Sequence, residues 1–250
     1  MRKLFLVLAL ALCIRGVDAH AAIAFVNAAD LGNNSGGTCS GFTPSYTITA
    51  GGSLIVLVIA GDVGGGNDDI TNVTYAGATM TLAVKETSAA STSRLLYLYY
   101  LTSPSSGAHN FGFACGSSHY MLAGVAEYSS TATAGQPDAT ATLQSSSPST
   151  STLGVTTVAA NSWVLTAGTS NGFPGPNCSG GCTQRAVDAA FQTWVLGDSN
   201  GSVGASGTNY TETVDFDGTG PSIKQITVSF APPGGGAAAP PTRVLTGVGR

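Results

Sequence analysis

The stretch KQITVSF, residues 224–230, alternates apolar and polar side chains with a period of two. Ile226, Val228 and Phe230 fall on one face of the segment, and polar residues occupy the positions between them. This alternation is typical of a β-strand with one buried face. HNFGFAC, residues 109–115, repeats the pattern with Phe111 and Phe113. The sequence therefore predicts a protein built from strands.

The remaining segments extend this prediction along the chain. ITNVTYAG (70–77) and ATMTLAVK (78–85) flank a glycine-containing turn and indicate a hairpin. SLIVLVIAGD (53–62) and RLLYLYYLTSP (94–104) are apolar on both faces, as expected for strands inside a sandwich. No segment keeps helical spacing for three turns, and no convincing internal repeat is found. These features predict an all-β fold, a two-sheet antiparallel β-sandwich in a single domain.

The two ends of the chain differ in composition from the middle. Residues 1–21 have a basic start, an apolar run at 4–14 and small-residue sites before Ala21, which predicts a secretory signal peptide. The apolar run is too short to cross a bilayer. Residues 22–231 form the predicted sandwich domain, and no membrane span is expected there. Residues 232–250, rich in Pro, Gly and Ala, read as a linker with a short basic tail.

Charge excludes one class of partner. Residues 22–231 contain only four basic residues against twelve acidic ones. A nucleic-acid-binding protein needs clustered Lys and Arg to release counterions, so that no nucleic-acid partner is expected. The sparse charge and the abundance of Ser, Thr and Gly suit a secreted protein outside the cell.

Four cysteines remain after signal removal, and an even number in a secreted chain predicts disulfides. Cys178 and Cys182 are four positions apart, and their proximity predicts the first bridge. The second bridge, between Cys39 and Cys115, follows by elimination. The alternative is a zinc site in which Cys115, Cys178 and Cys182 join His119, although an oxidising compartment favours disulfides.

Catalytic patterns are weak. GTCSG at 37–41 matches the Gly-x-Cys-x-Gly pattern of a nucleophile elbow, but the sequence predicts no strand before it and no helix after it. A glycosidase needs two carboxyl groups on one side of its substrate. In the strand TETVDFDG, Asp215 and Asp217 share a face, whereas Glu212 falls on the other. The chain is therefore expected to be non-enzymatic.

Two aromatic residues and one loop are the candidate binding residues. Trp194 lies close to a loop, and Tyr100 is on the opposite strand face from Tyr97 and Tyr99, so that Trp194 and Tyr100 are predicted to contact a ligand. No cofactor is expected except calcium, which the oxygen ligands of a glycine-rich loop could hold. The candidate calcium ligands are Asp62, Asp68 and Asp69.

Six segments together resemble a known family. They are SLIVLVIAGD (53–62), ITNVTYAGATMTL (70–82), LYYLTSPSSGAHNFGF (98–113), AGVAEYSS (123–130), NSWVLTAGT (161–169) and SIKQITVSFAP (222–232). The set resembles the jelly-roll, concanavalin A-like or lectin-like β-sandwich module of secreted bacterial and phage or virion surface proteins.

The resemblance carries functional expectations. It implies a carbohydrate-binding or adhesion module whose partners are glycans or components of a cell or virion surface. The alternatives are a structural subunit of a virion or another extracellular assembly, and a carbohydrate-active enzyme on the same fold. A homo-oligomer is a further expectation.

Overall fold

The structure is a computed structural model that describes residues 22–34, 38–49, 54–62, 68–87, 94–116, 120–145, 149–170, 175–188, 193–217 and 223–234. The predicted signal peptide and most of the predicted tail lie outside the described residues. The described chain is almost entirely β-strand, with one 3-10 turn at Cys39–Gly41, and all strand pairs are antiparallel. No helix within the described ranges reaches the length and hydropathy needed to cross a bilayer. The predicted all-β, antiparallel sandwich class is confirmed.

The strands form four sheets. The bounds of the strands are β1 Ala24–Asn33, β2 Ser45–Ile48, β3 Leu54–Asp62, β4 Ile70–Tyr75, β5 Ala78–Thr79, β6 Thr81–Glu86, β7 Arg94–Thr102, β8 Gly107–Cys115, β9 Tyr120–Ser129, β10 Ala139–Ser145, β11 Thr150–Thr156, β12 Trp163–Ser170, β13 Asn177–Ser179, β14 Thr183–Val187, β15 Trp194–Asp198, β16 Asn209–Asp215 and β17 Ile223–Phe230. β1-β9-β3-β7-β6 form the first inner sheet and β2-β8-β4-β5 the first outer sheet. β10-β17-β12-β15-β14 form the second inner sheet and β11-β16-β13 the second outer sheet.

The same strand order occurs twice. The two inner sheets have the same strand order. The strands β1, β9, β3, β7 and β6 of the first correspond, in this order, to β10, β17, β12, β15 and β14 of the second. The outer sheets follow the same match, with β2-β8-β4 corresponding to β11-β16-β13. Each half interleaves its strands between two sheets as a jelly roll does. The described residues thus form two jelly rolls and four sheets, where the sequence analysis expected one sandwich of two sheets.

The duplication is faint in the sequence because equivalent positions contain different residues. Leu57 of the first jelly roll corresponds to Thr166 of the second, since each holds the same place in its inner sheet. Tyr99 of β7 is the register partner of Leu57, and Gly197 of β15 is the register partner of Thr166, so Tyr99 corresponds to Gly197. Even the register shift after Leu82 in β6 recurs after Gln184 in β14. The two halves therefore share a backbone arrangement but not the side chains at equivalent positions.

The four sheets stack in the order first outer, first inner, second inner, second outer. One apolar cluster fills the first jelly roll, and a second cluster lies between the two inner sheets. Two smaller clusters lie between the second inner and second outer sheets. Both faces of the first inner sheet are therefore buried, which explains the double-sided apolar strands SLIVLVIAGD and RLLYLYYLTSP.

The two jelly rolls pack through reciprocal contacts. β6 packs against β10 and β17, and its equivalent β14 packs against β1 and β9, which are the equivalents of β10 and β17. Such reciprocity defines a pseudo-twofold axis between the inner sheets. At one point the indole of Trp194 lies directly on Gly124, where a methyl group would overlap the ring.

Two disulfides join the pairs that the sequence analysis predicted. Cys39–Cys115 ties the 3-10 turn to the end of β8, across a sequence separation of 76. Cys178–Cys182 closes the turn that joins β13 of the second outer sheet to β14 of the second inner sheet. Its two sulfurs lie over Gly197, in the place that the ring of Tyr99 has in the first jelly roll. A disulfide thus fills part of the second core that an aromatic ring fills in the first.

Candidate functional site

The outer surface of the second outer sheet is the candidate site. Because side chains alternate along a strand, every second residue of β11 and β16 points away from the core. We call the six hydroxyl and amide side chains at these positions the hydroxyl face. Its members are Thr150, Thr152, Thr156, Asn209, Thr211 and Thr213.

The strand sequences account for this face. In β11, Ser151 and Val155 point inward, and in β16 Glu212 and Val214 do so, which leaves Thr and Asn outside. The register brings Thr152 opposite Thr213, and their Oγ1 atoms are 2.8 Å apart. β-branched Thr suits an exposed sheet position because its branched side chain packs well on the pleated surface. The face is therefore part of a rigid strand surface.

Neighbouring contacts hold the edge of the sheet. The phenol of Tyr210 donates a 2.6 Å hydrogen bond to the carbonyl oxygen of Gly181, in the β13–β14 turn that the Cys178–Cys182 bridge closes. β13 pairs with β16 on the far side from β11. The β13–β14 turn is thus tied to the strand that carries half of the hydroxyl face.

The face carries little charge. Asp215 is the acidic residue at its end, and its carboxylate accepts a 2.5 Å hydrogen bond from the hydroxyl of Ser179. Asp217 is exposed just beyond β16. A surface of hydroxyl and amide groups can both donate and accept hydrogen bonds, which suits a neutral polar ligand.

Directly beneath the face, the core is polar. The carboxyl group of Glu212 points inward, and the residue has no exposed surface. Burial is the main cause that raises the pKa of Glu212 well above its usual range, and the negative charge of Asp198 adds to the shift. The side chain of Gln225 bridges the sheets, since its Nε2 donates to the backbone oxygen of Glu212 at 3.0 Å and to Thr166 Oγ1 at 3.1 Å.

The predicted binding residues lie elsewhere, and Trp194 requires a correction. Trp194 has no exposed surface and packs between the inner sheets against Gly124, so that it cannot contact a ligand in this state. Its nearness to a loop in sequence was misleading, because both faces of β15 are covered. Tyr100 is half-buried at the same interface, with its ring 5.7 Å edge-on to Phe230 and its hydroxyl donating to the backbone oxygen of Gln136. The structure does not bring Tyr100 to the hydroxyl face.

The candidate calcium ligands are partly described. The carboxylate of Asp68 forms an ion pair with Lys85 and accepts a 2.8 Å hydrogen bond from the phenol of Tyr97. The side chain of Asp62 lies outside the described residues, and Asp69 is half-buried next to Asp68. Within the described part of the chain, no three His, Cys, Asp or Glu side chains are grouped as metal ligands would be. Calcium binding stays a prediction.

The zinc alternative is overturned by the disulfides. The four cysteines form two disulfide bonds, Cys39–Cys115 and Cys178–Cys182, and these bonds remove the thiolates that a zinc site would need. His119, the fourth proposed ligand, lies outside the described residues.

The sequence analysis missed the hydroxyl face and the buried position of Glu212. The signal was present, because STSTLGVT (149–156) and NYTETVDF (209–216) both alternate, and Glu212 shares its face with Val214 and Phe216. Only the pairing of these two strands, however, turns separate threonines into one surface.

Fold and site together define a tandem jelly-roll protein with a hydroxyl-rich outer sheet. Comparison with protein-family models, with curated proteins and with solved structures finds no match.

Proposed function

We propose that the protein is a secreted, non-catalytic module that binds neutral glycans, or a glycan-covered surface, through the hydroxyl face. The observation that carries the proposal is the set of outward Thr and Asn side chains on β11 and β16, with Asp215 and Asp217 as the charged residues at one end of the face. Neutral sugars offer hydroxyl groups, which Thr hydroxyls and Asn amides can pair with as donors and as acceptors.

The shape of the face supports an extended ligand. A strand of seven residues such as β11 extends over roughly 20 Å. Because the side chains stand on paired strands, little conformational entropy is lost when they bind. A linear polysaccharide lying along β11 and β16 would meet several hydroxyl groups in succession.

The positions of the acids support a non-catalytic role. A glycosidase needs one carboxyl group to act as acid and another to act as base or nucleophile at the same bond. Glu212 points into the core and cannot join Asp215 at one substrate bond, and the carboxylate of Asp215 already accepts a hydrogen bond from the hydroxyl of Ser179. Asp138 accepts hydrogen bonds from the amide of Ala159 and the hydroxyl of Ser162. Two disulfides accord with a secreted protein.

The test is a binding screen with matched variants. Wild-type protein is screened on a glycan array and on insoluble neutral polysaccharides, and its best ligand is then titrated against T152K/T211K. These substitutions put two flexible cations on the face, and we expect binding to weaken at least tenfold. The control S45K/T47K changes exposed positions of β2 in the first outer sheet and leaves binding unchanged. Equal losses in both variants, or no glycan bound by wild type, would overturn the proposal.

A structural subunit of an extracellular assembly is the second candidate. The four-layer stack presents an outer sheet at each end, and the first outer sheet also has small polar outward residues such as Ser45, Thr47 and Asn110. Flat uncharged faces at opposite ends can stack copies of the chain. Light scattering over a range of protein concentrations distinguishes this candidate, because an assembly subunit gains mass without added glycan.

A further inference from the structure

The interior of the second jelly roll differs in kind from that of the first. Three positions of the inner sheet that face the outer sheet are apolar in the first jelly roll, namely Leu57, Ala123 and Val125. Their equivalents in the second are polar, namely Thr166, Gln225 and Thr227. All of these polar residues are fully buried. Buried polar groups are costly unless they are paired, so their concentration in one core calls for an explanation.

Glu212 lies at the centre of this polar core. Its backbone oxygen accepts the hydrogen bond from Gln225, but within the described residues neither carboxyl oxygen has a hydrogen-bond partner. The Oε1 atom of Gln225 and the hydroxyl of Ser151 are likewise buried without a partner there. Leu153, directly opposite Glu212 on β11, is apolar. A charge on this carboxyl group would therefore have nothing to neutralise it.

Among the described residues, the elements around Glu212 offer it no cation. β11, β12 and β10 contain no ionisable residue, and the cysteine of β13 is in a disulfide. On β16 itself the neighbouring inward residue is Tyr210, whose phenol is turned to Gly181. On β15, Asp198 is negative and is paired with Arg185 at 2.7 Å. Lys224 of β17 lies one residue from Gln225 and so points to the opposite face of its sheet.

We propose that Glu212 is a proton-dependent latch, whose neutral carboxyl group allows the second outer sheet to close on the second inner sheet and whose ionisation releases that outer sheet. The proposal does not depend on what the hydroxyl face binds. If that face binds glycans, release of its sheet would also end binding.

The direction of the pH dependence follows from burial. An unfolded Glu has a pKa of about 4.3, and burial raises the pKa of Glu212 in the folded protein well above that value. The closed sheet therefore has its full stability below about pH 4.3 and loses it as the pH rises toward the folded-state pKa. Within that window, each pH unit lowers the ratio of closed to open sheet by about tenfold.

Release should be local because the outer sheet is weakly attached. Among the described residues, the two apolar clusters between the second inner and outer sheets contain five and three buried residues. The cluster between the two inner sheets contains nineteen. Segments with few buried apolar contacts open before the rest of a protein. The inner sheets should remain packed when β11, β16 and β13 separate from them.

Hydrogen exchange measured by mass spectrometry on the full chain tests the latch. Wild type, E212Q and the control E127Q are compared at pH 5, 7 and 9, after correction for intrinsic exchange rates. In wild type we expect protection of β11 and β16 to fall by tenfold or more between pH 5 and 9, relative to β12 and β17. In E212Q this fall should disappear, because the amide cannot ionise.

The control and a second measurement make the outcome decisive. Glu127 is also fully buried, but Thr49 donates to its carboxylate from both its amide and its hydroxyl, so E127Q should keep the pH dependence of the second outer sheet. If E212Q does not fold, infrared spectroscopy of wild type replaces it, and a protonated carboxyl band should persist at pH 7. The same pH dependence in wild type and E212Q, or the absence of that band, overturns the proposal.

Discussion

The phenol of Tyr128 in the first jelly roll donates a 2.9 Å hydrogen bond to the carboxylate of Asp198 in the second, and both residues are fully buried. The positions related to them by the pseudo-twofold axis are Phe230 and Tyr100, whose rings meet edge-on at 5.7 Å. One contact of the pair is therefore a charge-assisted hydrogen bond and the other an aromatic contact. This asymmetry distinguishes one half of the interface from the other.

Tyr128→Phe should lower the free energy of unfolding by about 1.5–3 kcal/mol, since it leaves a buried carboxylate with one donor fewer. Arg185 Nε, 2.7 Å from Asp198 Oδ2, and the backbone amide of Asn200, 2.8 Å from Asp198 Oδ1, remain as donors to the carboxylate. Chemical denaturation measures the change. Tyr210→Phe is the control, because its hydrogen bond to Gly181 is exposed and should contribute less. Equal effects of the two substitutions would contradict the importance of the buried contact.

Gly124→Ala should destabilise the protein by about 1–3 kcal/mol, because its methyl group would enter the space of the Trp194 ring. Leu has a smaller side chain than Trp, so adding Trp194→Leu to Gly124→Ala should recover part of the lost free energy of unfolding. A double-mutant cycle would show this recovery as coupling between the two sites. Gly204→Ala, at a position with open space around it, is the control and should be nearly neutral. Additive effects of the two substitutions would mean that the ring does not occupy this position in solution.

The two disulfides should differ in their effect on stability. In the chain-entropy model the long loop of Cys39–Cys115 contributes roughly 4.5 kcal/mol, and the short loop of Cys178–Cys182 roughly 2 kcal/mol. We expect the double Ser variant of the first pair to melt at a lower temperature than that of the second. Calorimetry on both variants tests the order, and non-reducing peptide mapping of wild type verifies the pairing. The reverse order would indicate that packing of the sulfurs on Gly197 outweighs loop length.

Tyrosine ionisation should be delayed in the folded protein. Burial is the main cause that raises the pKa of six of the eight tyrosines, and it brings the pKa of Tyr99 to about 12. Because unfolded tyrosines ionise near pH 10, stability should be full below that pH and fall as the pH rises through the folded-state values. Absorbance titration should show most tyrosines ionising together with unfolding. Separate ionisation near pH 10 while far-UV circular dichroism is unchanged would contradict the buried placement.

The alternating patterns and the cysteine spacing were sufficient for local predictions. KQITVSF is a strand, the glycine-containing turn at 76–77 joins β4 to β5, and both disulfide pairs are as predicted. The prediction for Trp194 was wrong for a physical reason. An aromatic residue near a loop reads as exposed, but the first jelly roll covers that strand and Gly124 leaves room for the indole.

By itself, the sequence determined the β-strands and the two disulfide pairs, one short-range and one long-range. The strands depend on alternation along one segment, and the pairs depend on the number and spacing of the cysteines. Tertiary structure alone decided that two jelly rolls stack into four sheets, because equivalent strands share their backbone pairing but have different side chains. It also decided that six hydroxyl and amide groups form one face and that Glu212 lies beneath that face, where the described part of the chain supplies no counter-charge. Both depend on which strands pair and which sheets face each other, and these long-range contacts leave no periodic signal in a single chain.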